Sequence, residues 1–328
     1  MSIEKENYII TYVEIVNNTP INAALEVLTQ AREIADIKNK KVLAILIGEG
    51  LEEASKICIN YGADEVICVN EISLENEIIA KDIIQIIEEY TSNIILLAAT
   101  SDGKDIGAML ASSLKTSALT DVIGINPAGE EINFTIPMYS GNILKEVKVS
   151  NNKKTIAILR SGLCKKQILE GRVGNIQVKT FENKEAKAKI VDIVKEISEN
   201  VNLEEAEIIV SGGRGMGSKE NFELVEKLAE VLGGVVGATR PVTEENWIAR
   251  SHQIGQSGKI VAPKLYIACG VSGATQHISG AMASNYIVAI NKDEDASIFD
   301  VSDLGIVGNA IEILPLMIEE IKKIKTSS

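Results

Sequence analysis

Runs of aliphatic and β-branched residues recur along this chain without polar alternation: Tyr8 to Val13, Lys41 to Ile47, Glu65 to Val69, Asn93 to Ala99 and Asp121 to Ile125. The stretches between them carry apolar residues at helical spacing, as in Ala24, Leu25, Leu28 and Ala31, or Ile79, Ile83, Ile86 and Ile87. A strand that is apolar on both faces must be covered on both faces, and strands joined by crossover helices run parallel. The first part of the chain is therefore expected to be an α/β, Rossmann-like domain with a parallel sheet. Helices are expected over 51–61, 77–90 and 104–115, and Thr19-Pro20 reads as the cap and first residue of the opening helix.

From Glu130 to Phe181 the helical period gives way to short β-rich pieces, among them Ile132 to Ile136, Ile143 to Val149 and Thr155 to Leu159. The charged passage from Glu182 to Glu205 reads as a linker, with Lys189 to Ile197 able to form an edge strand, and the domain boundary is placed near residue 200. With 328 residues, two domains of 1–200 and 201–328 each have enough chain for a core. A net charge of −13 argues against nucleic-acid binding or an anionic membrane surface. No apolar run is long enough for membrane insertion, and the acidic first residues are unlike a secretory signal, so a cytoplasmic protein is expected. Cys58, Cys68, Cys164 and Cys269 lack metal-ligand spacing and read as small hydrophobes, so no metal is expected.

The second part opens on a strand, a glycine-rich turn and a helix: Ile208 to Val210, then Gly212, Gly213, Arg214, Gly215 and Gly217, then Ser218 as the cap of a helix with Phe222, Val225, Leu228 and Leu232 on one face. Free N–H groups of such a turn, with a helix dipole behind them and Arg214 among them, suit an anion. The spacing matches neither GxGxxG nor GxxxxGK[ST].

Then follow Thr239-Arg240-Pro241, the run from Gln253 through Ile254, Gly255, Gln256 and Ser257 to Lys259, and the run from Gly270 through Ser272, Gly273, Ala274, Thr275 and Gln276 to His277. Val288 to Asp293 and Asp303 to Gly308 come after them. This ordered series resembles the FAD-binding domain of the electron-transfer flavoprotein alpha subunit. The resemblance implies FAD as cofactor, a beta subunit as partner in a heterodimer, and electron transfer between flavoprotein dehydrogenases, such as acyl-CoA dehydrogenases, and a downstream acceptor. It also implies a second domain of the deoxyhypusine synthase-like NAD/FAD-binding type. Nothing resembles a nucleophile with its base, so no catalytic residue is expected.

By the same resemblance, the turn from Gly270 to His277 with the Ser272 hydroxyl holds the diphosphate, and Asn291, Asn309 and Ala310 the adenosine end. Arg240 lies against the flavin ring, Ser257 donates near N5, Gln253 and Gln256 line the pocket, and His277 approaches the C2 carbonyl. Reduction places negative charge on the N1, C2=O side of the ring, so each matched cation or donor is worth roughly 1–3 kcal/mol. Arg240 could instead be a surface ion pair, and His277 a helix-start residue bonded to backbone. The run Thr135 to Asn142 lacks the arginine-proline pair usual in the family. The turn Leu97 to Asp105 lies where α/β sheets bind ligands, yet it reads equally as a capped turn and is assigned none. Two further functions stay open: a bifurcating complex that oxidises NADH and reduces ferredoxin and an enoyl-CoA, and an NAD(P)-binding dehydrogenase.

Overall fold

The computed structural model describes residues 7–71, 75–127, 131–139, 141, 143–149, 154–162, 164, 166–181, 186–188, 203–204 and 206–327. It divides into two compact units, Met1–Ile193 and Val194–Ser328. The first unit begins with β1 (Asn7–Tyr12), the short hairpin β2 (Ile15–Val16) and β3 (Thr19–Pro20), and α1 (Asn22–Lys38). Strands and helices then alternate through β4 (Lys41–Gly48), α2 (Glu52–Asn60), β5 (Glu65–Asn70), α3 (Asn76–Glu89), β6 (Thr91–Ala98) and α4 (Ser101–Ser113). After them come β7 (Ala118–Val122), β8 (Gly124–Asn126), β9 (Ile132–Met138), β10 (Ile143–Val149), β11 (Thr155–Leu159) and β12 (Asn175–Lys179).

Seven strands pair in the order β12-β5-β4-β1-β6-β11-β7, every neighbour parallel. Successive residues of one strand enter different cores. Val42, Ala44 and Leu46 of β4 pack with α1 and α2, while Leu43, Ile45 and Ile47 pack with α3 and α4. This is the double coverage that unbroken apolar strands demand, each fully buried aliphatic side chain contributing about 1.5–3 kcal/mol.

Two local expectations differ from the structure. Thr19-Pro20 does not open α1 but pairs with Ile15-Val16, because Asn17 and Asn18 adopt φ of 51° and 59° and close a two-residue hairpin. The run Asp121 to Ile125 splits between sheets: β7 joins the parallel sheet, while β8 pairs antiparallel with β9, itself paired antiparallel with β10. The β-rich passage itself divides: β9 and β10 stay in the three-stranded antiparallel sheet, while β11 inserts between β6 and β7 and β12 lies beside β5. Arg160 fastens the former region by a forked bond to Asp121 at 2.7 and 2.5 Å. Arg172 to Asp64 (2.6 Å) and Gln177 to Glu65 (2.6 Å) hold the latter. The expected edge strand over 189–197 lies outside the described residues, as does most of the expected linker. Among the described residues no helix is long and apolar enough to cross a membrane.

The second unit contains β13 (Ile208–Gly212), α5 (Lys219–Leu232), β14 (Val235–Ala238), α6 (Arg240–Glu244), β15 (Leu265–Cys269), α7 (Thr275–Ala281), β16 (Ile287–Asn291), β17 (Leu304–Val307) and α8 (Ala310–Ser327). Its strands are all parallel in the order β14-β13-β15-β16-β17. Val210, Ile267, Cys269, Val288 and Ile290 share a core with Phe222, Val225 and Leu228 of α5 and Leu314 of α8. Ile209, Tyr266, Ala268, Ile287 and Ala289 face the other side. Trp247 packs edge-on against Phe222 at 6.3 Å.

Candidate functional site

Counted within the second unit, the strands lie in the order 2-1-3-4-5, so the direction of winding reverses between β13 and β15. Open α/β sheets bind ligands at the carboxyl ends of the strands flanking such a reversal. A cleft of about 710 Å³ lies there, walled by the segments that follow β13, β14, β15 and β16. Gly213 and Gly215 press against Gly270: Gly215 N–H donates to the Gly270 carbonyl at 2.9 Å, and a Cβ on Gly213 would come within 2.3 Å of the same oxygen. Gly270 itself takes φ of +61°, so a side chain there is excluded by both conformation and space.

Beyond Gly270 the chain turns from β15 into α7. The backbone N–H groups of Ser272, Gly273, Ala274, Thr275 and Gln276 have no protein acceptor among the described residues. Asn291 shapes this turn from the side, its amide donating to the Val271 carbonyl (2.8 Å) and its oxygen accepting from the Asp293 N–H (3.0 Å). Gly273 is buried at φ +85° against the backbone of Ser297 and Ile298, which holds the turn open toward the cleft.

The opposite wall is a tight turn over residues 253–259. Ile254 N–H donates to the Ala238 carbonyl at the end of β14, and Gln256 N–H to the Gln276 carbonyl at 2.7 Å. Arg240 stands exposed on the rim with its Nε 2.7 Å from Glu244 one helical turn on. His277 lies beneath, 6% exposed. Its Nδ1–H donates to the Ile254 carbonyl (3.0 Å), and its Nε2 accepts from the buried Tyr266 hydroxyl (2.8 Å). Burial pushes its pKa down to about 4, so the imidazole is neutral at pH 7.

Of the residues singled out from the sequence, Arg214, Thr239, Arg240, Ile254, Gly255, Gln256, Ser257, Gly270, Ser272, Ala274, Gln276, His277 and Asn291 line this one cleft. Five do not. Gln253 is buried behind the wall, its amide engaged by Thr243 and Ser257. Gly273 lies under the turn, and Thr275 is exposed away from the wall. Asn309 caps α8, its side-chain oxygen accepting from Ile311 N–H at 3.1 Å, and Ala310 is buried against Leu314. His277 is on the wall, but both ring nitrogens are committed inside the protein, leaving no ring N–H for a carbonyl of a ligand. The arginine of the glycine turn sits in a 3-10 turn, Arg214–Met216; the first turn of α5, capped by Ser218, is not part of the wall.

Pro241, Val271, Lys292 and Asp293 line the cleft without having been singled out. Lys292 and Asp293 directly follow a strand of this sheet, which is where a signal for them lay. His252 spends Nδ1 on the Val236 carbonyl (2.7 Å) and is not on the wall.

A parallel sheet with this reversal, a glycine-packed crevice, a row of unpaired amides and basic side chains on its rim defines a dinucleotide-binding α/β domain. Sequence comparison makes the class specific. Residues 202–282 match the family model of the electron transfer flavoprotein FAD-binding domain, and residues 9–193 that of the electron transfer flavoprotein domain. The chain is 43% identical over 317 residues to the electron transfer flavoprotein subunit alpha of Thermoanaerobacterium thermosaccharolyticum, covering 94% of this chain and 96% of the relative. It is 39% identical to the same subunit of Megasphaera elsdenii over 93% of each chain. Identity is 35% to the acryloyl-CoA reductase electron transfer subunit beta of Anaerotignum propionicum, over 94% of this chain and 93% of the other. The chain belongs to the electron transfer flavoprotein alpha subunit family, whose C-terminal domain binds FAD.

Proposed function

We propose that this cleft holds the FAD, and that the chain works with a beta subunit to carry electrons from a flavoprotein dehydrogenase, of the acyl-CoA dehydrogenase type, to a downstream acceptor. Bound there, FAD supplies the one- and two-electron redox chemistry. The observation that carries the assignment is the row of amides from Ser272 to Gln276 without protein acceptors among the described residues, of which Ser272, Ala274 and Gln276 line a cleft shared with Arg214, Arg240 and Lys292. A diphosphate needs such donors and positive charge. Ser272 adds its hydroxyl to the row, and Arg240 and Ser257 meet the ring. Asn291 shapes the adenosine end, while Asn309 and Ala310 hold the start of α8. A domain boundary near residue 200, a second domain of the deoxyhypusine synthase-like type and a cytoplasmic location belong to the same proposal.

The test is expression with and without a beta subunit, followed by a visible spectrum. Flavin bands are expected in the purified pair; a pair that stays colourless after incubation with FAD rules the proposal out. The similarity to an acryloyl-CoA reductase electron transfer subunit favours a second reading, in which the pair bifurcates electrons from NADH to ferredoxin and an enoyl-CoA. Two FAD per heterodimer, bleached by NADH, is the result that selects it.

A further inference from the structure

The antiparallel sheet of the first unit ends in a finger that its own core does not cover. Ile132 and Phe134, at the start of β9, belong to the core that α1 covers, whereas Met138 and Tyr139 at its far end are exposed. Ile143 pairs with Met138 and Leu144 with Pro137, so Met138 and Ile143 lie on one face of the hairpin and Leu144 on the other. Met138, Tyr139, Ile143 and Leu144 are between 40% and 75% exposed. No other seven-residue stretch among the described residues exposes as many large apolar side chains.

Two features set this finger apart from an ordinary loop tip. β10 is the edge of its sheet, and bare edges ordinarily carry charge, yet from Ile132 to Leu144 the sequence has no charged residue. Tyr139 takes φ of 52°, a conformation that strains a bulky side chain and that Gly141, at φ 94°, adopts freely. The hairpin thus holds an aromatic ring outward at a cost in its own stability. Strain of that kind is found where a contact outside the local structure makes use of it.

Charge narrows what covers the finger. Lys145 and Lys148 follow the tip on β10, both exposed and neither with an acidic partner among the described residues. From Ile143 to Thr180 nine residues are Lys or Arg and two are acidic, in a chain of net charge −13. A second copy of this chain would bring that basic stretch against itself. A transient partner would leave the apolar tip in water between encounters, so a permanent one suits it better.

We propose that the tip of the β9–β10 hairpin is an apolar anchor of the contact with the beta subunit, Tyr139 and Leu144 entering an apolar hollow whose acidic rim meets Lys145 and Lys148. The inference rests on the heterodimer proposed above. An apolar centre, a polar rim and a few large anchors are the ordinary anatomy of a stable interface.

The experiment uses the full-length chain and its beta subunit, purified separately and mixed. Biolayer interferometry reads the dissociation constant, and circular dichroism the unfolding midpoint of each alpha variant. Leu144→Glu is expected to weaken pairing roughly thirtyfold and leave the midpoint unchanged, because that side chain is already in water in the free chain. Tyr139→Gly relieves the positive φ, so it should hold or raise the midpoint while weakening pairing about tenfold. Lys145→Glu combined with Lys148→Glu should weaken pairing at low salt and have little effect at high salt. Val178→Glu, on the bare edge of β12, is the control and should pair like wild type.

A Leu144→Glu or Tyr139→Gly chain that pairs as tightly as wild type overturns the proposal, as does a loss in Val178→Glu equal to that in Leu144→Glu. Tighter pairing after the lysine reversal overturns the acidic rim. A wild-type alpha chain that dimerises by itself, and no longer does so in Leu144→Glu, puts a second copy on the finger and also overturns it. Should Leu144→Glu fail to fold, Tyr139→Gly decides alone. A wild-type chain that does not bind its beta subunit removes the heterodimer reading itself, and this inference with it.

Discussion

The two units reverse their winding in the same way and do opposite things with the result. In the first, the reversal falls between β1 and β6, and the residues that follow those strands include Glu14 and Thr100. Thr100 donates its hydroxyl hydrogen to the Glu14 carboxylate at 2.6 Å and accepts from Gly103 N–H at 2.9 Å as the cap of α4. A carboxylate of the protein sits there, and burial with the charges of Glu14 and Asp102 holds the nearby Tyr12 phenol well above its ordinary range. In the second unit the reversal falls between β13 and β15, where glycines bring two backbones together and leave amides without protein acceptors among the described residues. Topology provides the crevice; whether the chain fills it with its own acceptor decides whether a ligand fits.

The most severe way to break this contrast is Gly270→Ala. A side chain at φ +61° with backbone atoms 2.8 Å from its Cβ is expected to cost about 4 kcal/mol, close to a thousandfold in FAD affinity. Flavin absorbance per folded chain reads it. Gly103→Ala in the first unit, where a Cβ would lie 2.1 Å from the Ala98 carbonyl, should lower the unfolding midpoint and leave flavin content per folded chain intact.

The next effect is one of pH. Both histidines of the chain, His252 and His277, lie in the second unit. His277 has its pKa lowered to about 4 from 6.5, so between those values the unfolded chain binds more protons than the folded one. Stability is therefore full above pH 6.5 and falls as the pH drops toward 4, by roughly 3 kcal/mol. Urea unfolding at several pH values checks this, and His277→Gln should remove most of the slope.

Arg240→Ala comes third, lowering the flavin midpoint potential and its affinity by about 1–2 kcal/mol. An unchanged midpoint in spectroelectrochemistry would leave Arg240 only its ion pair with Glu244. The smallest effect is expected from Asn309→Ala, a cap deletion worth about 1 kcal/mol of stability that leaves the FAD dissociation constant where it was. A weakened FAD affinity in that variant would move Asn309 from the helix cap to the adenosine.

Much of this fold was legible because its strands are apolar on both faces, which admits few arrangements other than a covered parallel sheet. The glycine turns of the cleft were legible too, since a backbone that must approach another backbone leaves its mark as residues without Cβ. Other features were hidden because their meaning depends on partners remote in sequence. Thr19-Pro20 has the composition of a helix start but is drawn into a hairpin by two asparagines. The strand Asn175–Lys179 finds its place through Asp64 and Glu65, more than a hundred residues earlier.

The local chemistry of this sequence, by itself, determined two α/β units and the glycine turn that opens the second, because apolar periodicity and glycine act through nearest neighbours. Which side chains line the cleft and which stand behind it was decided by the tertiary structure alone. Gln253, His277 and Asn309 are polar residues within or near the right motifs, yet each has its hydrogen bonds taken up within the protein. A polar group's role is settled by whichever partner the fold brings within 3 Å, and a linear sequence does not contain that distance.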